Sequence, residues 1–275
     1  MKNKISILLI AVLAMGLTSC GTKTKKIETL AELQGKVLGN LSSGVSEEGA
    51  KAMVTALIGG DPAQILSFNR AIDVLAALKS GKIDGFASHQ FAADYLLKRD
   101  TSVTSIPIVD IPIEGQAIMA VRSEDTNLKA LLDSAIIILN NNGTIKSLED
   151  EWITNLPAEN EPTFKEIPVI EGAATYYVGV SGDLPPLDYV ASDGFPAGFN
   201  VALLTEIGKI LNLNFKFVSL ETQARFTALA SKKIDVVFCH FQSSNTDYFD
   251  ELKNEGWLAT EPYFIYQGGC FIVNK

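Results

Sequence analysis

The chain has 275 residues, of which 47% are hydrophobic and 20% charged, and its formal net charge is -9. That length leaves room for two folded units with cores of their own, and the composition is that of an ordinary globular protein. So acidic a chain does not attract nucleic acid or anionic lipid, and no nucleic-acid partner is expected. Three cysteines set up no disulfide framework. Cys239 and Cys270 stand in apolar strand contexts, where a buried thiol is the ordinary reading and a mutual bond the alternative.

Residues 1–20 read as an export signal. Lys2 and Lys4 give a positive start, and Ile5 to Leu17 an apolar core too short to span a bilayer comfortably. The next residues, Leu17-Thr18-Ser19-Cys20, resemble a bacterial lipobox. That resemblance implies cleavage before Cys20 and a lipid on its sulfur; the alternative is an anchor helix left in place. Residues 21–28 then form a short polar tether in which Lys23, Lys25 and Lys26 are a local basic exception. Nothing further along is apolar enough for a transmembrane helix.

Residues 29–114 read as a first folded block. Lys36-Val37-Leu38-Gly39 is a strand and residues 41–45 a turn. Ser46 caps a helix that Glu47 and Glu48 charge favourably and that runs to about Leu57. Gly59-Gly60-Asp61-Pro62 breaks the chain. A helix over Ala71 to Lys79, a strand over Lys82 to Ala87 and a helix over Phe91 to Arg99 follow. Ser105 to Ile113 is extended, and Pro107 and Pro112 mark exposed edges.

Gln116 to Val121 begins a second block as a strand, followed by a strongly apolar helix over Asn127 to Asn140. Gly143 stops it, and Thr144 to Trp152 is helical again. Residues 156–170, with Pro157, Pro162 and Pro168, look like a linker. Then come a strand at Tyr177 to Val180, a break at Ser181 to Pro186, a helix over Val201 to Leu211 and a strand at Phe215 to Val218. A helix over Phe226 to Ala230 and a strand at Lys233 to Phe238 complete the run. Strand, helix, strand, helix, strand is the pattern of an open parallel sheet with helices on its faces. Ligands of such sheets bind beyond the carboxyl ends of the strands, here at residues 181–186 and 239–244. Trp257 to Tyr263 and a last strand, Gly269 to Asn274, end the chain.

An internal repeat runs through both blocks. Ala77-Leu78-Lys79-Ser80-Gly81-Lys82-Ile83-Asp84 matches Ala228-Leu229-Ala230-Ser231-Lys232-Lys233-Ile234-Asp235, 151 residues later, and the same offset carries His89 onto His240. Two similar halves with facing strand ends describe a two-lobed clamp. Asp84 and Asp235 read as structural residues at strand ends.

These residues resemble the periplasmic solute-binding proteins of the amino-acid-transporter type, which have the type II two-lobed fold. Val178-Gly179-Val180, Pro185-Pro186-Leu187 and Gly198-Phe199-Asn200-Val201 match the opening of that family's large lobe. The helix followed by Ser-Gly-Lys-x-Asp matches both repeat copies. Asn142-Gly143-Thr144 and Trp152 match its closing helices. The order of the two segments is exchanged relative to the family, as in a circular permutation. Chain ends that lie close together at a surface make this physically easy.

The resemblance implies an α/β fold, each lobe a mainly parallel sheet with helices on both faces. The small lobe spans about 29–114 with 269–274 as a returning strand. The large lobe spans about 115–267, with 156–170 joining the family's usual ends. A closed single chain predicts the last strand beside Val37 to Leu41; the rival is a piece of a tandem array pairing between molecules. The implied protein is a monomeric, lipid-anchored extracytoplasmic binder. It passes a small-molecule ligand to an ABC-type permease, and needs no cofactor. A ligand sensor is the alternative. An enzyme of the dehydratase type is a further one, and would need general acid–base work by a histidine.

The resemblance also places the pocket. The family arginine that takes the ligand carboxylate falls at Asp247, the small-lobe aspartate at His89, and the first-loop aspartate at Ser181. Aromatic wall positions fall at Leu184, Leu187 and Thr222. A free α-amino acid held in the usual way is therefore not expected. His89 and His240 are candidates to hydrogen-bond a ligand across the cleft, with structural histidines as the alternative. A metal is not expected from two histidines without a cysteine pair or carboxylate cluster. Ser42, Ser43 and Gly44 precede a helix whose N–H groups suit an anion, or form a plain turn. Arg225 matches a position where some binders of acidic amino acids place an arginine, or is a solvated helix charge. Phe241 and Gln242 are expected to face the cleft.

Overall fold

The computed structural model describes residues 26–41, 46–167, 169–222, 224–243 and 252–275. The leader with Cys20, and Ser43, Gly44 and Asp247, lie outside them. A 3-10 turn, Leu30–Leu33, leads into β1 (Val37–Leu41), α1 (Glu47–Ile58), β2 (Gln64–Phe68), α2 (Ala71–Lys79), β3 (Gly85–His89), α3 (Gln90–Leu97) and β4 (Val103–Pro107). The Ser46 hydroxyl accepts the Gly49 N–H at 3.1 Å to start α1. Gly59, at φ 70°, ends it in the left-handed region that suits glycine.

The chain continues as β5 (Glu114–Arg122), α4 (Thr126–Asn141) and α5 (Thr144–Glu149), which runs into a π turn at Asp150–Thr154. Next come β6 (Thr175–Val180), β7 (Asp183–Leu184), β8 (Asp188–Val190), β9 (Pro196–Ala197), α6 (Phe199–Leu211), β10 (Asn214–Ser219) and α7 (Ala224–Ala230). The last four strands are β11 (Val236–Ser243), β12 (Trp257–Ala259), β13 (Phe264–Gln267) and β14 (Gly269–Asn274). No helix among the described residues is long and apolar enough to cross a membrane.

Two main sheets result. The first has the order β2-β1-β3-β14-β4 and the second β10-β6-β11-β5-β12, with β13 pairing β5 beyond β12. In each, the first three strands are parallel and the fourth is antiparallel to its neighbours. Helices cover both faces. Alternate residues of β14 show why: Cys270 and Ile272 pack with Val74, Ala77 and Leu78 of α2, while Phe271 and Val273 pack with Val54 and Ile58 of α1. In the second lobe, α4 and α6 build a core around Leu132, Leu139, Phe199 and Leu203, and α7 lies on the other face around Ala228 and Leu229. This is the mixed α/β, two-lobed architecture expected above.

The last strand is not beside Val37–Leu41. Both edges of β1 are already taken, by β2 and β3, so β14 enters the same sheet between β3 and β4. Strands β2, β7, β8, β9, β12 and β13 were not read from the sequence. Gln64–Phe68 has little alternation, and β13 follows β12 after only the Thr260–Tyr263 break. Both β12 and β13 pair with β5, end to end, and the Thr260 hydroxyl fills the gap by accepting the Met119 N–H at 3.0 Å. The chain passes between the sheets twice, at residues 108–113 and at Gly268.

Candidate functional site

The two lobes share one local design at the start of their central strands. Asp84 N–H donates to the Val37 carbonyl at 2.7 Å, and the Asp84 carboxylate accepts the Val37 N–H at 3.0 Å. Asp235 makes the same pair of bonds with Tyr177, at 2.7 and 2.9 Å. One turn of strand further on, a side chain at Gly39 would meet Ile83 Cδ1 at 2.6 Å, and one at Gly179 would meet Ile234 Cδ1 at the same distance. Both aspartates are therefore structural, as read from the sequence.

The symmetry breaks at the carboxyl end. Cys239 sits at φ 57°, and the pairing of β11 with β5 slips between Val237 and His240. One extra residue in a strand inverts every side chain that follows. Phe241 consequently meets the first lobe, with its ring centroid 5.2 Å from His89 and 5.4 Å from Tyr266. His240, its neighbour, turns to Phe226 at 5.2 Å on the α7 side. The two histidines thus have equivalent sequence positions but do not face each other across a cleft. His89 lies among Phe91, Phe241 and Tyr266. Burial lowers the pKa of both histidines to about 4, helped at His240 by the Arg225 charge, so both are neutral at pH 7. Among the described residues no group of three or more metal-ligating side chains comes together.

Arg225 is buried rather than a solvated helix charge. It stands where the repeat places Val74 and holds the bulge: Nη1 donates to the Phe238 carbonyl at 2.5 Å and the Cys239 carbonyl at 3.2 Å. Beside it, the Asp188 carboxylate accepts from Ser181 Oγ at 2.8 Å, Gly182 N–H at 2.9 Å and Asn200 Nδ2 at 2.6 Å. Burial still raises the Asp188 pKa against those three donors. Ser181 is thus spent on shaping its own loop. Cys239 and Cys270 are free and buried, and burial pushes both thiols up to about 12.

Gln242 differs from these. It is 3% exposed, and neither its Oε1 nor its Nε2 has a hydrogen-bond partner among the described residues. It stands at the carboxyl end of β11. At the lobe boundary nearby, the Asp183 carboxylate accepts the Ala71 N–H at 3.1 Å, capping α2 of the first lobe, and lies 3.5 Å from Arg70 Nε. Leu184 is half-buried in β7 and Leu187 is fully buried. A separate groove of about 320 Å3 lies between α5, the π turn and α6. It is lined by Leu148, Trp152, Phe164, Ala202, Thr205 and Lys209, and shares no residue with the site expected from the sequence.

Sequence reasoning missed Asp183 as a cap on another lobe, since capping partners 112 residues apart leave no local signal. It also missed Asp188 and Asn200, whose only trace is two polar residues inside otherwise apolar runs.

Among curated proteins, none matches the chain. Among solved structures, a ligand-binding component of an ABC-type import system from Staphylococcus aureus with zinc bound is 13% identical, at a TM-score of 0.46. That match covers 88% of this chain and 66% of the other. An ancestral arginine-binding protein bound to arginine is 15% identical over 88% of this chain and 86% of that one, at a TM-score of 0.42. The GluR0 ligand-binding core with L-glutamate is 10% identical over 88% and 85%, also at 0.42. Residues 176–272, from the second residue of β6 into β14, match the profile of the bacterial extracellular solute-binding proteins, family 3. This stretch, which carries the bulge and Gln242, is similar to family 3 solute-binding sequence, in keeping with the resemblance read from the residues.

Proposed function

We propose that the protein is an extracytoplasmic solute-binding protein, lipid-anchored through Cys20, that closes two lobes on a small polar ligand for an ABC-type permease. The ligand is amino-acid-like or an organic acid. The observation that carries this reading is the Gln242 carboxamide: a buried donor and a buried acceptor, both unpartnered, at the strand end where sheets of this kind take ligands. Leaving such groups unmade costs about 1–3 kcal/mol each, and a ligand offering one acceptor and one donor relieves both. Phe241, one residue earlier, projects from the other face of β11 and packs with His89. Arg225 and Ser181 act by holding the bulge and the loop in place. The lobes are about 29–114 with 269–274, and about 115–267, in circularly permuted order.

The test is thermal unfolding of the chain from Gly21, which keeps every described residue. It is run against panels of amino acids, dipeptides and organic acids. A ligand at a hundred times its dissociation constant stabilises by about 2.7 kcal/mol. Gln242→Leu should abolish that shift while leaving the unliganded protein as stable or more so. A ligand whose shift survives Gln242→Leu removes Gln242 from the site. Labelling with radioactive palmitate that persists in Cys20→Ser would rule out the anchor.

A further inference from the structure

The described residues of 155–174, between the π turn and β6, contain no helix or strand, yet they are tied down at several points. Both ends belong to the second lobe. Phe164 stacks on Trp152 at 5.2 Å and its N–H donates to the Pro196 carbonyl at 2.8 Å. Thr163 Oγ1 donates to Asp193 at 2.8 Å, and Ile170 and Asn214 exchange two bonds at 2.8 and 2.9 Å. The segment is a strap fixed to one lobe.

Its first part reaches the other lobe. Helix α3 packs on β3, β4 and β14 of the first sheet. Arg99, just past its end, donates Nη2 to the Pro157 carbonyl at 2.5 Å and Nε to Glu161 at 2.5 Å, with its guanidinium 3.7 Å over the Tyr95 ring. The Tyr95 hydroxyl donates to Glu161 at 3.1 Å. From the second lobe, the Tyr189 hydroxyl donates to the same carboxylate. The Arg99 and Glu161 side chains are only 16% and 15% exposed. One carboxylate therefore ties Arg99 and Tyr95 of the first lobe to Tyr189 of the second, in a largely dry setting. There, removing one partner of a charge-assisted set leaves the others buried and unmatched.

We propose that Glu161 is a latch, and that the strap biases the two lobes toward their closed arrangement. This rests on the clamp reading above. Any motion that parts Arg99 and Tyr95 from Tyr189 must break this cluster. A ligand then meets a protein already shifted toward the binding form, and closes it at lower cost in affinity. The Asp183 contact with α2 is a second, independent tie between the lobes.

The test is the distance distribution between spin labels at Lys51→Cys on α1 and Lys216→Cys on β10, both exposed. It is measured by pulsed electron resonance on the chain from Gly21, without ligand. Cys239 and Cys270 are buried and do not compete for label. Glu161→Gln keeps the side-chain shape, and Arg99→Met breaks the same bond from the other lobe, so either folded variant serves. A longer, broader distribution in these variants is the expected result. Unchanged distributions overturn the latch. Asp183→Ala separates the two failures: if it alone broadens the distribution, the lobes move but Glu161 does not hold them. If none of the three variants changes it, the clamp fails with the latch.

Discussion

At the scale of single residues, the site is ruled by burial without charge. His89 and His240 are held neutral by desolvation, and this sets a pH dependence whose sign is fixed. In the unfolded chain they take up protons below about pH 6.5; in the folded protein they do so only below about 4. Between those values the unfolded state binds more protons, so stability falls as pH drops through the window and stays lost below it. The full effect is up to roughly 3 kcal/mol for each histidine. Asp188, raised by burial, contributes a slope of the opposite sign. The histidine part is therefore read as a difference. Urea midpoints of His89→Gln and His240→Gln should decline less between pH 6.5 and 4 than those of the parent. Equal declines would show that the histidines are not buried neutral.

At the scale of elements, what was legible in the sequence followed local periodicity. Helix α2 falls on Ala71–Lys79 as expected, Ser46 caps α1, and the matched aspartates mark matched strand starts. The histidine pairing failed because a bulge is a two-body event. It needs Cys239 in the left-handed region and a donor for the carbonyls it displaces, and that donor lies 14 residues upstream of Cys239. The one available signal was Arg225 standing where the repeat has Val74: a cation in a core helix position implies carbonyls in need of it. Arg225→Met should leave both carbonyls without a donor and cost about 2 kcal/mol, measured as a lower urea midpoint. A midpoint equal to the parent's would mean that the ladder alone holds the bulge. The strap was legible as a proline-marked linker, but Glu161 within it was not. A carboxylate between Asn160 and Pro162 reads as solvated, and only the approach of α3 makes it buried.

For the whole molecule, chain order is separable from fold. Under the proposed circular permutation, a chain rearranged to run from Glu171 to Lys275, then through a short Gly/Ser linker to Lys26 and on to Leu156, takes the order of the resembled family. It cuts the strap and leaves both sheets complete. It should fold with the parent's circular dichroism and a lower melting temperature, because Glu161 and Phe164 are gone. Failure to fold would show that the strap is needed to assemble the lobes, and not merely to hold them.

The place of β14 bears on how the protein is made. The first sheet begins with residues near 37 but receives its fourth strand, between β3 and β4, only from residues 269–274. Those six residues are synthesised long after β3 and β4. Until then, β3 and β4 each present an open edge with no partner between them, so the first sheet closes only after the strands of the second have been made. Folding of the first lobe is thereby delayed until β14 has emerged. A chain cut before Gly269 would leave an interior gap in the first sheet rather than a trimmed end.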